Sequence, residues 1–384
     1  MKNNRNFLLL CAIDLVQGLV FYGPIATLYR EARGLTIYEI FIIESIFMLL
    51  MILLEIPWGW FADRFGYKNT LLVAFFLNFI SKIIFYKANT FILFLIERIV
   101  LAISVSGVSG CDSALLYSSV GEEKSEKAFA FYSSCSTFGF LIATLLSTFT
   151  ISISMDFTVW ITIFPYGIAV LLSLFLKNIP FENENKKRES IVNVLKTSIK
   201  GRKIIYFLIS MALISEVSHS IMVFLNQLQY RRSGIDIKYY GIILMIVQIA
   251  SMVSSQTHKI TSKFGKFKTF IFIICSVAIS SIVLASTTNS IVSILLIILI
   301  GIANSISIPI SLDIQNKSIT IANRATVLSV YAMIIDVISA TVNLAIGKAS
   351  SVSIQTSFIL CGVIAIIALS LNIYYFKLQN QEEI

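Results

Sequence analysis

Six side chains stand where their chemistry is expensive. Asp14 and Gln17, Arg98, Glu216 and His219, and Asp336 all fall inside long apolar runs. An ionisable group at the centre of a membrane-spanning helix costs on the order of 3 kcal/mol, so each needs a partner or a task. Glu216 and His219 are three residues apart, which places them on one face of a helix. A carboxylate beside an imidazole, both held away from water, has the parts of a proton relay. Asp336, like Glu216, lies about thirteen residues into its run. At 1.5 Å per residue that is roughly 20 Å along a helix, near the middle of a bilayer. The competing reading of this group is a buried hydrogen-bonded cluster that only holds helices together. Asp14, beside Gln17, reads as a proton- or cation-coupling carboxylate, as a contact for a cationic substrate, or as a group solvated from the membrane surface. Arg98 reads either as a functional buried cation or as half of a local ion pair with Glu97 or Glu44. Lys82, near the end of its run, is expected to stretch its ammonium to the interface. The chain has two histidines, His219 and His258, and its five cysteines show no ligand spacing. No metal site or cofactor is expected, and the cysteines read as reduced packing residues.

The elements that carry these groups are apolar runs near 7–28, 39–62, 70–87, 91–118, 128–150 and 155–176, then 203–228, 238–258, 268–287, 290–314, 325–346 and 352–376. A spanning helix needs about 20 such residues. With 57% hydrophobic and 13% charged residues and a mean hydropathy of +0.86, a soluble globular protein is excluded. The first run lacks a small-residue cleavage site and reads as a spanning helix rather than a signal peptide. One long polar segment, Lys177 to Lys203, contains Glu-Asn-Glu-Asn-Lys-Lys-Arg-Glu. It divides the chain into expected six-helix bundles at 1–176 and 203–384 joined by a linker at 177–202, with a short surface helix from Ser190 to Lys200.

Basic loop residues favour one side by roughly three to one if the N-terminus is cytoplasmic, which puts both termini there. The net charge of +9 is therefore a topology signal, and no nucleic acid partner is implied. The halves also repeat. Leu28-Tyr-Arg-Glu-Ala-Arg-Gly-Leu-Thr-Ile returns as Leu228-Gln-Tyr-Arg-Arg-Ser-Gly-Ile-Asp-Ile, Phe65-Gly66 as Phe264-Gly265, and Tyr132 as Tyr331. Near-constant spacing argues for two bundles in the same orientation.

Between the second and third runs lies the polar turn of Leu54 to Leu71. Its Gly59, Ala62, Asp63, Arg64, Gly66, Lys68 and Leu71 match Gly-x-Leu-Ala-Asp-Arg-x-Gly-Arg-Lys-x-x-Leu, with Phe61 for the first Leu and Tyr67 for the first basic residue after the second Gly. In this the chain resembles the major facilitator superfamily. The resemblance implies an all-α membrane protein of twelve transmembrane helices in two pseudo-symmetric six-helix bundles. It also implies a conformational latch of Gly59, Asp63, Arg64, Gly66, Lys68 and Asp112. In that latch the Asp docks on a helix start of the other half and the Arg pairs with a fourth-helix acid. Arg98 resembles the family's membrane-embedded arginine, although the Gln-Gly that follows it in relatives is absent, the run here reading Val-Leu-Ala. The Gly-Pro-x-x-Gly-Gly that drug antiporters carry in the fifth helix is also missing, since Ser133–Ala143 has one Gly and no Pro.

The expected function is secondary transport by alternating access, as proton-coupled efflux of an amphipathic or cationic compound. Its rivals are a proton-coupled nutrient importer, with Arg98 and His219 binding an anionic group, and a non-transporting membrane receptor or immunity protein. No phosphate loop or nucleophile–base pair appears, so no enzyme is expected. The expected partners are a small-molecule substrate, protons and the lipid bilayer, for a monomer in the cell membrane.

Overall fold

Apolar sequence that cannot share its backbone with water must satisfy every N–H and C=O within itself, which in a single segment means a helix. The computed structural model describes residues 4–178, 202–319 and 324–381, and among these residues all regular structure is helical. The helices are α1 (Asn4–Gln17), α2 (Ala26–Ala32), α3 (Ile37–Phe65), α4 (Tyr67–Lys87), α5 (Phe91–Val108), α6 (Cys111–Val120), α7 (Glu122–Ile153) and α8 (Met155–Leu174). After the linker come α9 (Arg202–Ser220), α10 (Asn226–Arg232), α11 (Tyr240–Ser251), α12 (Thr257–Phe264), α13 (Lys266–Ser286), α14 (Ser290–Lys317), α15 (Arg324–Val352) and α16 (Ile354–Asn380). Several are joined end to end by short 3₁₀ or π turns. Among the described residues, twelve stretches are long and apolar enough to cross a membrane. The expected surface helix at Ser190–Lys200 lies outside the described residues.

Local sequence explains the boundaries. Before α3, the Thr36 Oγ1 accepts from the Glu39 N–H at 3.2 Å while the Glu39 carboxylate accepts from the Thr36 N–H at 2.7 Å. That reciprocal pair is the capping box legible in Thr-Ile-Tyr-Glu. Gly66 and Gly265 take φ of 78° and 76°, a region closed to most side chains. Each lets one helix end and the next begin at once, so the Phe-Gly repeat is also a repeat of backbone geometry.

The chain forms two compact units. The first holds the described residues of Met1–Leu35, Ile46–Glu184 and Ile237–Met245, and the second those of Thr36–Ser45, Asn185–Asp236 and Ile246–Ile384. In the first, α1 packs on α7 and α8, and α4 packs on α5 and α8. Leu10, Ile13, Leu71, Phe75, Leu115 and Leu116 fill its core. Helices α1 and α7 meet backbone to backbone, because Gly18 and Gly139 present no side chain. A Cβ at Gly139 would stand 2.1 Å from the Leu15 carbonyl oxygen, and one at Gly18 would stand 2.3 Å from that of Ser136. Small residues permit such approach, which is how helices associate where lipid removes the hydrophobic drive. In the second unit α9 lies on α15 and α16, and α13 on α14 and α16. Phe207 meets Phe270 edge-on at 5.6 Å, and the Ser210 hydroxyl donates to the Ala368 carbonyl at 2.7 Å.

Candidate functional site

Glu216 is 2% exposed, near the end of α9. Its Oε1 accepts from the Ser220 hydroxyl and from the Asn343 amide of α15, both at 2.8 Å. The Asn343 Oδ1 in turn accepts from the Ser45 hydroxyl at 2.9 Å, and Ser45 also lies 3.1 Å from the Ala340 carbonyl. His219 Nδ1 stands 3.6 Å from Glu216 Oε1, close enough for charge to act but too far for a hydrogen bond. Directly after these residues Ile221–Leu225 winds as a π turn, an irregularity frequent at functional sites. The expected pairing of Glu216 with His219 on one face is therefore present.

Asp336 does not share the hydrogen bonds of Glu216 among the described residues. Its side chain is exposed, and it precedes Asn343 by seven residues on α15, two helical turns and about 10 Å away. The shared depth in the sequence placed the two acids at one level but could not place them on one face. Asn343 and Ser45 were not singled out by sequence, since a neutral amide and a hydroxyl in an apolar run are cheap enough to pass unnoticed.

In the first unit Asp14 is half-buried on α1, and its Oδ2 accepts from the Ser136 N–H of α7 at 3.0 Å, beside the Gly18–Gly139 crossing. A charge-assisted bond from a carboxylate to a backbone N–H is about twice as strong as a neutral one. Gln17 gives its backbone carbonyl to the Tyr166 hydroxyl at 2.9 Å, while its side-chain Nε2 is shielded without a hydrogen bond among the described residues.

One charged residue departs from expectation. Lys82 does not reach for an interface. It is 5% exposed, 3.3 Å from the Tyr22 hydroxyl, with its ammonium 4.8 Å above the Tyr166 ring. Its face of α4 packs on α8, which supplies Tyr166 as an aromatic partner for the ammonium. Glu97 is 1% exposed, and neither of its oxygens has a hydrogen bond among the described residues. It acts on Lys82 through charge. Arg98 forms no ion pair with Glu97, because adjacent residues on a helix point about 100° apart. Its guanidinium lies instead 4.9 Å over the Phe47 ring.

The turn at Gly59–Lys68 likewise differs in detail from what resemblance implied. Gly66 caps α4, and Lys68 lies in its first turn, as the motif requires. Asp63 and Arg64 are exposed, and Arg64 lies over the rings of Trp60 and Phe65 at 5.4 and 5.6 Å. Asp112 accepts from the Ser113 N–H at 2.6 Å and from the Tyr132 hydroxyl at 2.9 Å. Arg64 and Asp112 therefore form no ion pair among the described residues, since each is already engaged by nearer partners.

Twelve apolar spans, glycine-mediated helix crossings and ionisable groups enclosed among helices define a multi-pass integral membrane protein. Residues 7–343 match the Major Facilitator Superfamily, and the chain belongs to it. It is 21% identical over 184 residues to an uncharacterised MFS-type transporter of Bacillus subtilis, YxaM. That match spans 47% of this chain and 46% of the relative, so the chain covers about half the length of the curated relative. Among solved structures, a nucleoside transporter, NupG, superposes with a TM-score of 0.80 at 16% identity, covering 97% of this chain and 99% of that one. A D-xylose–proton symporter superposes with a TM-score of 0.76 at 15% identity, covering 97% of each chain. At these identities the likeness is one of fold.

Proposed function

We propose that the chain is a secondary transporter that works by alternating access and couples proton movement to export of a small amphipathic or cationic solute, with Glu216 carrying the proton. The observation that supports this is a buried carboxylate whose hydrogen-bond partners, Ser220 and Asn343, are neutral. A carboxylate enclosed without a hydrogen-bonded cation gains much from binding a proton or a positive substrate group, and the two then compete for it. Asp14 is the matching acid of the first unit, and Asp336, His219, Gln17 and Arg98 are further contacts to test. The turn at Gly59, Asp63, Arg64, Gly66 and Lys68, with Asp112, serves as the conformational latch. The protein works in the cell membrane as a monomer with both termini cytoplasmic, in line with the bias of basic loops.

A second reading, import of a nutrient with protons, is favoured by Lys82. Buried between Tyr22 and Tyr166, it offers positive charge and aromatic faces to an anionic or flat polar solute. The nucleoside transporter and the sugar–proton symporter of the same fold handle solutes of that polar kind.

Reconstitution into vesicles containing a pH dye separates the readings. Under an imposed pH gradient, cationic dyes and antibiotics are compared with nucleosides, sugars and amino acids. Export predicts that a cationic compound dissipates the gradient and that Glu216→Gln abolishes this while leaving the fold intact. Inward co-movement of protons with neutral or anionic nutrients alone sinks the export reading and makes Lys82 and Arg98 the residues to replace.

A further inference from the structure

The second unit holds a cavity of about 340 Å³ at the turn between α12 and α13. Ser254, Thr257, His258 and Thr261 line it from one side, Lys266 from the start of α13, and Asp313 from α14. That volume is within the range of small-ligand sites. Its walls depart from regular helix geometry, since Met252–Gln256 winds as a 3₁₀ turn and Pro309, inside α14, also lines the cavity. A 3₁₀ interruption in a long helical stretch often marks a functional position.

The internal repeat explains why this place is open. Aligned on Phe65-Gly66 and Phe264-Gly265, Thr257 stands where the first half has Trp58, His258 where it has Gly59, and Lys266 where it has Tyr67. In the first unit the buried Trp58 indole packs against α5, so close that a Cβ at Gly107 would stand 2.8 Å from it. Tyr67 packs on the apolar core of that unit. Threonine is too small to fill the space of an indole, and lysine brings a charge in place of a phenol. The acids differ as well. Asp112 accepts from the Ser113 N–H and the Tyr132 hydroxyl, both neutral. Its counterpart Asp313 pairs with Lys266 and, at 3.2 Å, with Lys317. Two ammonium groups on one carboxylate leave one positive charge beside the cavity, and that charge favours an anion.

Position favours one kind of anion. Lys266 begins one spanning segment and Lys317 ends another, so both stand at a membrane boundary. Residues 254–269 and 309–317 carry five lysines and a single acid, Asp313. Next in sequence to lining residues are Val253, Ile308 and Leu312, which are apolar and exposed, and exposed Phe264 and Phe267 flank the turn. A cationic, hydroxyl-bearing cavity edged by apolar side chains at the ends of spanning helices suits both parts of a phospholipid, its phosphate and its acyl chains.

We infer that this cavity is a binding site for the phosphate of an anionic phospholipid headgroup. Lys266 and Lys317 supply the charge, His258 and the hydroxyls supply polar contacts, and the acyl chains lie along Ile308 and Leu312. A lipid seated there ties the α12–α13 turn to the end of α14.

The test needs no transport substrate. The purified full-length protein, stripped of lipid in detergent, is given phosphatidylglycerol and phosphatidylcholine in equal amounts, and native mass spectrometry counts which stays bound. The unaltered protein is expected to retain phosphatidylglycerol in preference. A lysine beside an anionic lipid contributes about fivefold to binding, so Lys266→Gln/Lys317→Gln should lower the preference roughly twentyfold. Lys259→Gln/Lys263→Gln removes the same charge from the same turn without altering the cavity, and should lower it by less than about fivefold. Thr257→Trp keeps every charge and restores the bulk of the first unit, and should abolish the preference by filling the space. Circular dichroism verifies folding, and the lysine pairs decide the matter alone if Thr257→Trp does not fold. Equal losses from the two lysine pairs overturn the site, because the attraction is then to diffuse surface charge. A preference unchanged by Lys266→Gln/Lys317→Gln overturns it too. Displacement of bound phosphatidylglycerol by excess inorganic phosphate, and not by sodium chloride of equal ionic strength, overturns the lipid as occupant in favour of a soluble phosphate compound.

Discussion

Replacing Gly139 with Ala adds one methyl group at the tightest point of the first unit. The new Cβ would stand 2.1 Å from the Leu15 carbonyl oxygen and 3.3 Å from the Gly18 Cα. Carbon and oxygen approach no closer than about 3.3 Å in ordinary contacts, so α1 and α7 must part locally by roughly 1 Å. Overpacking of this kind costs about 1–3 kcal/mol. The parting also stretches the bond from the Ser136 N–H to the Asp14 carboxylate, now 3.0 Å, at a further cost of about 1 kcal/mol. Scaled by the unfolding entropy of a chain this size, the sum lowers the unfolding temperature by about 2–5 °C. The assay is fluorescence-detected unfolding of the purified protein in detergent at a fixed scan rate. Gly34→Ala is the control. Its φ of 93° strains an Ala, but nothing lies within 4 Å of the added carbon, so it should cost about 1–2 kcal/mol through backbone alone. The double variant Gly18→Ala/Gly139→Ala should cost less than the two singles together, because helices already parted accept the second methyl. An unfolding temperature for Gly139→Ala within about 1 °C of the unaltered protein, or above that of Gly34→Ala, refutes the backbone contact as described.

Two further outcomes test the charged residues. Lys82→Met leaves Glu97 buried with no cation to compensate it and should destabilise by about 3 kcal/mol. Adding Glu97→Gln should recover at least about 1 kcal/mol of that in the same unfolding assay, and strictly additive effects would show that the two groups do not interact. Arg33 pairs with Asp156, and both side chains are substantially open to water. Arg33→Ala should therefore cost less than about 1 kcal/mol, and the difference from the unaltered protein should shrink further in 1 M salt.

Much of this protein is written in its sequence because the bilayer leaves a segment few choices. Runs of about 20 apolar residues must be helices. Thr36 and Glu39 announce the start of α3, and Gly66 and Gly265 announce turns that only glycine takes at no cost. The Asp-Arg-x-Gly turn carries the family. Glu216 and His219 share a face because three residues is nearly one helical turn, a relation local to the chain.

What the sequence leaves open is which helix face meets which neighbour. Asp336 has the right depth and is exposed, but the partner of Glu216 on α15 is Asn343 two turns further on. Lys82 has the composition of an interfacial residue, yet the packing of α4 on α8 encloses it between Tyr22 and Tyr166. Arg64 and Asp112 have complementary charges and nearer partners. Helix formation depends on neighbours along the chain, whereas a buried charge is satisfied by groups that long-range packing brings to it. The second kind of information exists only once the helices have assembled.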